Sequence, residues 1–299
     1  MGGHEMAPHT PQVFGAPRQS RDAPLSPPRI FGIPAARAPI VAVLRRGPSD
    51  WSHVGRWDVA RGTYEPGAWI RANLYPQRCD LSPDGRWLCY FTLKGGARWD
   101  VGDTYVAISR LPWLTALAAW STCGTWTSGA HFVDDRSVWD AGPPDAGDVA
   151  PCQARFGLAT TRPASFAVER RRGWTETADT PLRAAGDMWD QARERIAVEK
   201  PRPGAGGGVR LRVRGHYAAF RAAAPGDVVY DVVEGDGVTP LEDVQWADWG
   251  ADGRLLVATR AGRLEVRDGA RPLVATQPHA ELGALAPDPA PAPAEAEAW

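Results

Sequence analysis

Six arginines stand in two groups whose spacing could serve anion binding. In VRLRVRGHY, residues 209–217, apolar residues alternate with Arg210, Arg212 and Arg214. A strand would therefore place these three guanidinium groups on one face and the apolar side chains on the other. The second group, Arg170, Arg171 and Arg172, lies in VERRRGW. Guanidinium groups fork onto carboxylates and phosphates, so both groups are candidate binding residues. Alternatively, they protect a sheet edge or are neutralised by neighbouring acids.

Tryptophan is the second unusual feature, with 14 residues in the chain. Trp246 and Trp249 lie three apart in QWADW, so a strand would place them on opposite faces and could expose one of them. An exposed tryptophan near arginines would form a protein-docking site or a sugar platform. Core packing is the alternative interpretation. Both tryptophans are therefore candidate binding residues alongside the arginines.

Acidic residues offer the material for a hydrolase or a glycan-active enzyme. The candidates are Asp100, Asp103, Asp134, Asp135 and Asp140. Such an enzyme needs two carboxylates converging at roughly 5–10 Å. His131 precedes Asp134 closely, but on a strand the two side chains point to opposite faces. We therefore assign no catalytic residue from the sequence and keep the enzyme as an alternative.

Motifs for cofactors and metals are missing from the sequence. GAGGG at 204–208 lacks the Gly-Lys-Ser/Thr that completes a phosphate-binding loop, and Val209 breaks the dinucleotide pattern. None of the four cysteines forms a CxxC pair, which excludes a zinc ribbon. We predict no cofactor and no metal.

Charge and hydropathy limit the partners. The formal net charge is −1, which makes nucleic acid an unlikely partner. The N-terminus lacks the features of a secretory signal, and LPWLTALAAW is about half the length of a membrane span. The expectation is a cytoplasmic protein without membrane contact, and the composition resembles that of a bacterial protein.

The sequence predicts that the candidate residues lie on or between β-strands. Short runs rich in Val, Ile, Leu, Trp and Tyr are bounded by Gly, Pro and Asp-Gly clusters. This pattern predicts an all-β fold with one or two short helices. We expect a disordered Pro-rich tail at 1–27, a single domain at 28–276, and a Pro/Ala/acidic low-complexity tail at 277–299. Trp299 is expected to pack back on the body, with a short docking motif as the alternative.

One phrase occurs twice. DLSPDGRWLCYF has a partner in DWGADGRLLVAT, which aligns Asp84 and Gly85 with Asp252 and Gly253. Asp-Gly supplies the positive φ of a tight hairpin turn, so these four residues are predicted structural turns. The two turns lie 252 − 84 = 168 residues apart. That separation equals four units of about 42 residues, which is the length of a β-propeller blade.

The segment Ser82–Phe91 resembles the hairpin of TolB-like and WD-repeat-like β-propellers. The resemblance covers two blades and about 60 residues. It implies a propeller-like domain of roughly six four-stranded blades, incomplete or irregular, because closing such a ring removes open sheet edges. A two-sheet sandwich or an irregular β domain is the alternative fold.

Three functions stay open at this point, because propellers host many unrelated activities. The first is a non-catalytic protein-interaction or scaffold module that uses rim loops and the Arg/Trp surface. The second is a hydrolase or glycan-active enzyme with an Asp-based site in the central cleft. The third is Arg-mediated polyanion binding through Arg210, Arg212 and Arg214. The partner and the oligomeric state are unknown.

Overall fold

A computed structural model describes most of the chain. The described residues are 27–48, 50–94, 102–122, 124, 129–134, 137–140, 147–148, 150–159, 167–177, 195–204, 208–216, 228–268, 271 and 274–299. Strands dominate these residues, so the prediction of an all-β fold is confirmed. No helix in the described ranges is long and apolar enough to cross a membrane.

The first sheet is antiparallel and follows the chain in the order β1-β2-β3-β4. Its strands are β1 (Arg29–Pro34), β2 (Ile40–Arg46), β3 (Ser52–Asp58) and β4 (Thr63–Ile70). The residues of β2 are almost all buried and apolar, because other sheets cover both of its faces.

Nine strands form the second and third sheets. They are β5 (Asn73–Leu74), β6 (Asp80–Leu81), β7 (Trp87–Leu93), β8 (Thr104–Arg110), β9 (Ala118–Ser121), β10 (Ala130–Phe132), β11 (Ser137–Asp140), β12 (Gly147–Asp148) and β13 (Gly157–Ala159). The second sheet has the order β12-β9-β8-β7-β5, and β6 also pairs with β7. The third sheet has the order β10-β11-β13, in which β11 and β13 run parallel.

The fourth and fifth sheets complete the described strands. The fourth has the order β14-β15-β16-β17-β18 and the fifth β19-β20-β21-β22. Their strands are β14 (Thr175–Glu176), β15 (Arg195–Pro201), β16 (Val209–His216), β17 (Val229–Glu234), β18 (Gly237–Pro240), β19 (Val244–Trp249), β20 (Leu255–Thr259), β21 (Arg263–Arg267) and β22 (Ala280–Glu281). Two short helices, α1 (Ala150–Arg155) and α2 (Ala167–Arg171), lie between strands.

The two copies of the repeated phrase build the same turn. Gly85 and Gly253 have φ angles of +75° and +74°. The Gly85 amide donates to the Ser82 carbonyl at 2.8 Å, and the Gly253 amide donates to the Gly250 carbonyl at 2.9 Å. Each turn leads into a buried strand, β7 or β20. The repeated sequence therefore encodes a repeated hairpin.

Three clusters of buried apolar residues join the sheets. The first cluster joins the first, fourth and fifth sheets. The second joins the first and second sheets, and the third joins the second and third. Each sheet thus packs face to face on its neighbours rather than standing alone.

The segment 277–299 corrects one expectation. Instead of forming a low-complexity tail outside the domain, it contributes β22 to the fifth sheet, and the side chains of Leu282 and Ala296 are buried. The Trp299 ring lies 5.5 Å from the Trp87 ring and 5.7 Å from the Phe156 ring. Apolar residues placed at intervals along the Pro/Ala run attach it to the body, and the expected packing of Trp299 is confirmed.

Candidate functional site

A cavity of about 60 Å³ lies where four of the sheets meet. Strands β1 and β19 form one side and the fourth sheet another, while the 3₁₀ turn Pro76–Arg78 and the residues after α2 close it. We call this space the junction cavity. Four aromatic side chains contribute to its lining, namely Phe31, Trp174, Tyr230 and Trp246. The volume admits a few water molecules or the end of one side chain.

Two aspartates occupy matching positions beside the cavity. Asp80 in β6 and Asp248 in β19 each stand four residues before the Asp-Gly of the repeated phrase. Both are about 4% exposed, and each accepts a hydrogen bond from the amide of the residue that follows it. Asp248 lines the cavity directly. The repeat therefore places two buried carboxylates at equivalent points of two sheets.

Both carboxylates already have cationic partners from this chain. Arg172 donates to Asp80, and Arg171 lies 3.9 Å from the same carboxylate. The Lys200 ammonium donates to Asp248 at 2.6 Å. Since the desolvated charges are paired, neither carboxylate is free to act as a base or a nucleophile without breaking an ion pair.

The turn that ends α2 brings three cavity residues together. The amides of Arg172 and Trp174 both donate to the Glu169 carbonyl at 3.0 Å. This tight turn aims Glu169, Arg172 and Trp174 into the cavity. Burial raises the pKa of the Glu169 carboxyl, and the neighbouring negative charge of Asp80 raises it further, although Arg172 and Arg171 act in the opposite direction. Glu169 is thus more easily protonated than a glutamate in water.

Gln77 adds an open hydrogen-bond acceptor to the cavity. Its Oε1 atom is buried and accepts no hydrogen bond from any described residue. A buried acceptor without a donor costs about 1–3 kcal/mol, so the site favours a group that donates to it. Chemically, the cavity can hold a small hydrogen-bond donor between aromatic walls.

The six predicted arginine sites lie in two places, and all six side chains have partners. Arg210 and Arg212 donate to Glu199 at 2.8 and 2.6 Å, and Arg214 donates to Asp231 at 2.6 Å. Arg170 pairs with Glu176, while Arg171 and Arg172 face Asp80. The alternation predicted for β16 is present, since Leu211 and Val213 are buried. Because acids of the chain already occupy these guanidinium groups, their geometry does not favour a polyanion face.

Neither Trp246 nor Trp249 is exposed, so the expectation that one of them could lie at the surface is wrong. Trp246 and Trp249 are 3% and 2% exposed. Both faces of β19 are covered, and the register shifts between Val244 and Trp246, so alternation does not bring either ring to the surface. Trp246 packs against Phe31 and lines the junction cavity, and the Trp249 Nε1 donates to the Lys200 carbonyl at 3.1 Å.

The five candidate aspartates do not assemble a site in the part of the chain that can be described. Asp103 and Asp134 are exposed and do not line the junction cavity. Asp100, Asp135 and the Asp140 side chain lie outside the described residues. Among those described, no cluster of three or more His, Cys, Asp and Glu side chains could hold a metal ion.

Sequence reasoning missed Gln77, Glu169 and Asp248, which line the cavity, and the ion-pair partners beside it, Asp80 and Lys200. A signal existed for two of them, because Asp80 and Asp248 begin the two aligned phrases. No local pattern indicated Gln77, Glu169 or Lys200.

No protein-family profile and no curated protein matches this chain. Among solved structures, an uncharacterized protein, lmo1340 from Listeria monocytogenes, aligns over 84% of this chain and 53% of its own length, with 8% identity and a TM-score of 0.25. The tricorn protease aligns over 83% of this chain and 30% of its own length, with 12% identity and a TM-score of 0.24. Similarity this weak supports no argument about fold or function. The chain spans about half of the first protein and less than a third of the second.

Proposed function

We propose that this protein is a non-catalytic protein-interaction module whose sheets form a propeller-like ring. The five sheets among the described residues support a ring of five units, fewer than the roughly six that the spacing predicts. The buried clusters connect the fourth and fifth sheets to each other and to the first, the first to the second and the second to the third, whereas none of the three clusters joins the third sheet to the fourth.

Contacts between the fifth and first sheets support closure of the ring. The Gln245 side chain accepts a hydrogen bond from the Ile30 amide at 2.9 Å and donates to the Pro28 carbonyl at 3.2 Å. The Trp57 Nε1 donates to His279 at 3.1 Å. In a closed ring the last sheet packs against the first, so the ring leaves few exposed strand edges. This protects the protein from edge-to-edge association with other copies.

Two ion pairs, Asp80 with Arg172 and Asp248 with Lys200, are the observation that carries the non-catalytic proposal. An active site of the hydrolase type needs carboxylates that can exchange protons or attack, and both of these are held by Arg172 and Lys200. The cavity instead offers a buried acceptor, Gln77, between aromatic walls. Such a site suits a donor group on the side chain of a partner protein.

A peptide-display selection against the full chain tests this proposal. We expect enrichment of one peptide family that binds at least about tenfold more weakly to Gln77→Leu, because that variant keeps the shape but removes the acceptor. The matched control is Gln277→Leu, whose glutamine is exposed away from the cavity. Equal binding to both variants, or no enriched family, would contradict the proposal.

The enzyme alternative stands on Glu169. Because its pKa is raised, this carboxyl could act as a general acid toward a group in the cavity. A panel of chromogenic glycosides and esters distinguishes the two functions. Turnover by the wild-type chain that disappears in Glu169→Gln would overturn the non-catalytic proposal in favour of a hydrolase.

A further inference from the structure

The segment 286–299 crosses the surface between two distant attachments. We call it the strap. At its start, the buried Arg45 side chain donates to the carbonyls of Leu282 and Leu285, both at 2.9 Å. At its end, Ala296 is buried and Trp299 packs on the body. Residues 288–291, between these points, are all exposed. The strap is therefore fixed at its ends and open to solvent in the middle.

The far end of the strap occupies a groove built from aromatic and cationic side chains. The tryptophan groove consists of Trp87, Arg110, Arg155 and Phe156. The Trp299 ring lies 5.5 Å from the ring of Trp87 and 5.7 Å from that of Phe156. The guanidinium groups of Arg110 and Arg155 lie 4.9 and 5.8 Å from the Trp87 ring. This arrangement holds an aromatic side chain between rings and positive charges.

Besides the packing of Ala296 and Trp299, a hydrogen bond from one described side chain holds the strap in this groove. Arg110 donates to the Ala298 carbonyl at 3.2 Å, and the backbone hydrogen bonds of Ala290 and Ala296 are local to the strap. The Nε of Arg110 is buried and donates to no described residue. The groove therefore has capacity for one more acceptor than the strap supplies.

Charge and chain stiffness indicate the kind of ligand that fits. The strap carries Asp288, Glu295 and Glu297, while the groove carries two arginines. Alternating Pro and Ala keep residues 286–293 extended, and Ala294–Glu297 form a 3₁₀ turn that leads to Trp299, so little conformational entropy is lost when the segment binds. The groove thus selects an acidic peptide that carries a tryptophan.

From this geometry we infer that the tryptophan groove is a docking site for an acidic, tryptophan-bearing peptide of a partner protein, and that the strap is its built-in competitor. This site is separate from the junction cavity and goes beyond the proposed function. A tethered segment of this length acts at an effective concentration of about 1 mM, so the strap keeps weak ligands out. A partner peptide must bind the groove more tightly than the tethered strap does, or bind after the strap has left the groove.

Fluorescence anisotropy with full-length variants tests the inference. The probe is a synthetic peptide of residues 286–299 with an N-terminal fluorophore, which stands in for the partner. We expect saturable binding to Trp299→Ala, whose groove lacks its anchor, and binding at least about tenfold weaker to the wild type, whose groove is filled. Trp51→Ala is the matched control, because Trp51 is half-buried elsewhere on the first sheet and its loss leaves the strap in place.

Further variants fix the outcomes. A probe in which Trp299 is replaced by alanine, and a Trp299→Ala/Phe156→Ala chain, should each weaken binding at least about tenfold, because either change removes one half of the contact. Equal binding to the wild type and Trp299→Ala would place the peptide elsewhere and overturn the inference. A Trp299→Ala chain that melts cooperatively yet binds no probe would also overturn the inference.

If Trp299→Ala fails to fold, the strap is part of the core and not a competitor. A wild-type dimer in light scattering that Trp299→Ala abolishes would assign the groove to strap exchange between copies. None of these outcomes bears on peptides selected at the junction cavity.

Discussion

At the scale of single residues, Gly85 combines two constraints in one position. Its φ of +75° is a conformation that side-chain-bearing residues rarely adopt. A Cβ at this position would also lie 2.8 Å from the Cβ of Ile40. Gly235 shares the positive φ, at +56°, but nothing lies within 4 Å of its virtual Cβ. The two glycines therefore separate backbone strain from crowding.

We predict that Gly85→Ala lowers the free energy of unfolding by about 2–4 kcal/mol, since it adds overpacking to strain. Gly235→Ala should cost about 1–2 kcal/mol, from strain alone. Urea denaturation followed by tryptophan fluorescence measures both values. Equal losses in the two variants would mean that the contact between the hairpin and β2 is not tight.

At the scale of elements, the cationic face of β16 is a structural feature. Asp231 on β17 is fully buried, whereas the side chain of its partner Arg214 is 50% exposed. Arg254 and Asp252, in the second hairpin, form a pair in which both side chains are nearly half exposed. The two pairs have similar lengths, 2.6 and 2.7 Å, and differ in burial.

We predict that Arg214→Ala destabilises the protein by about 1–3 kcal/mol, because it leaves the buried Asp231 carboxylate without its cation. The matched variant Arg254→Ala should cost less than about 1 kcal/mol, because water replaces an exposed partner. Thermal unfolding of both variants provides the comparison. If Arg254→Ala cost as much as Arg214→Ala, burial would not be what decides the strength of these pairs.

The same elements show what could be predicted from the sequence. The turn at Asp84 and Gly85 and the alternation in β16 are local, so residue type and spacing were enough to predict them. The ion pair between Asp80 and Arg172 joins positions 92 apart, and no local pattern encodes it. Trp246 illustrates the same limit. The spacing of Trp246 and Trp249 on a strand predicts that their side chains point to opposite faces, but neighbouring sheets cover both faces of β19, so both rings are buried.

At the scale of the whole molecule, the junction between the fifth and first sheets determines whether the protein behaves as one body. Gly32 on β1 lies directly against the Trp246 ring of β19, where a Cβ would lie 2.5, 2.5 and 2.7 Å from three ring carbons. The ring is 3% exposed and packs against Phe31 of the same strand β1. Strand β1 therefore needs glycine at this point for the two sheets to approach each other.

We predict that Gly32→Ala costs about 1–3 kcal/mol through overpacking at this junction. If the sheets form one closed ring, tryptophan fluorescence and far-UV circular dichroism should report the same lowered urea midpoint with an unchanged slope, because all sheets unfold together. The matched variant Gly237→Ala, on the exposed strand β18, has its nearest neighbour, the Glu234 carbonyl, at 3.2 Å and should barely move the midpoint. Two separate transitions in Gly32→Ala would show instead that the first and fifth sheets part before the second and third unfold. A ring whose closure contributes to global stability cannot behave in that way, since opening one junction removes the support of every neighbouring sheet.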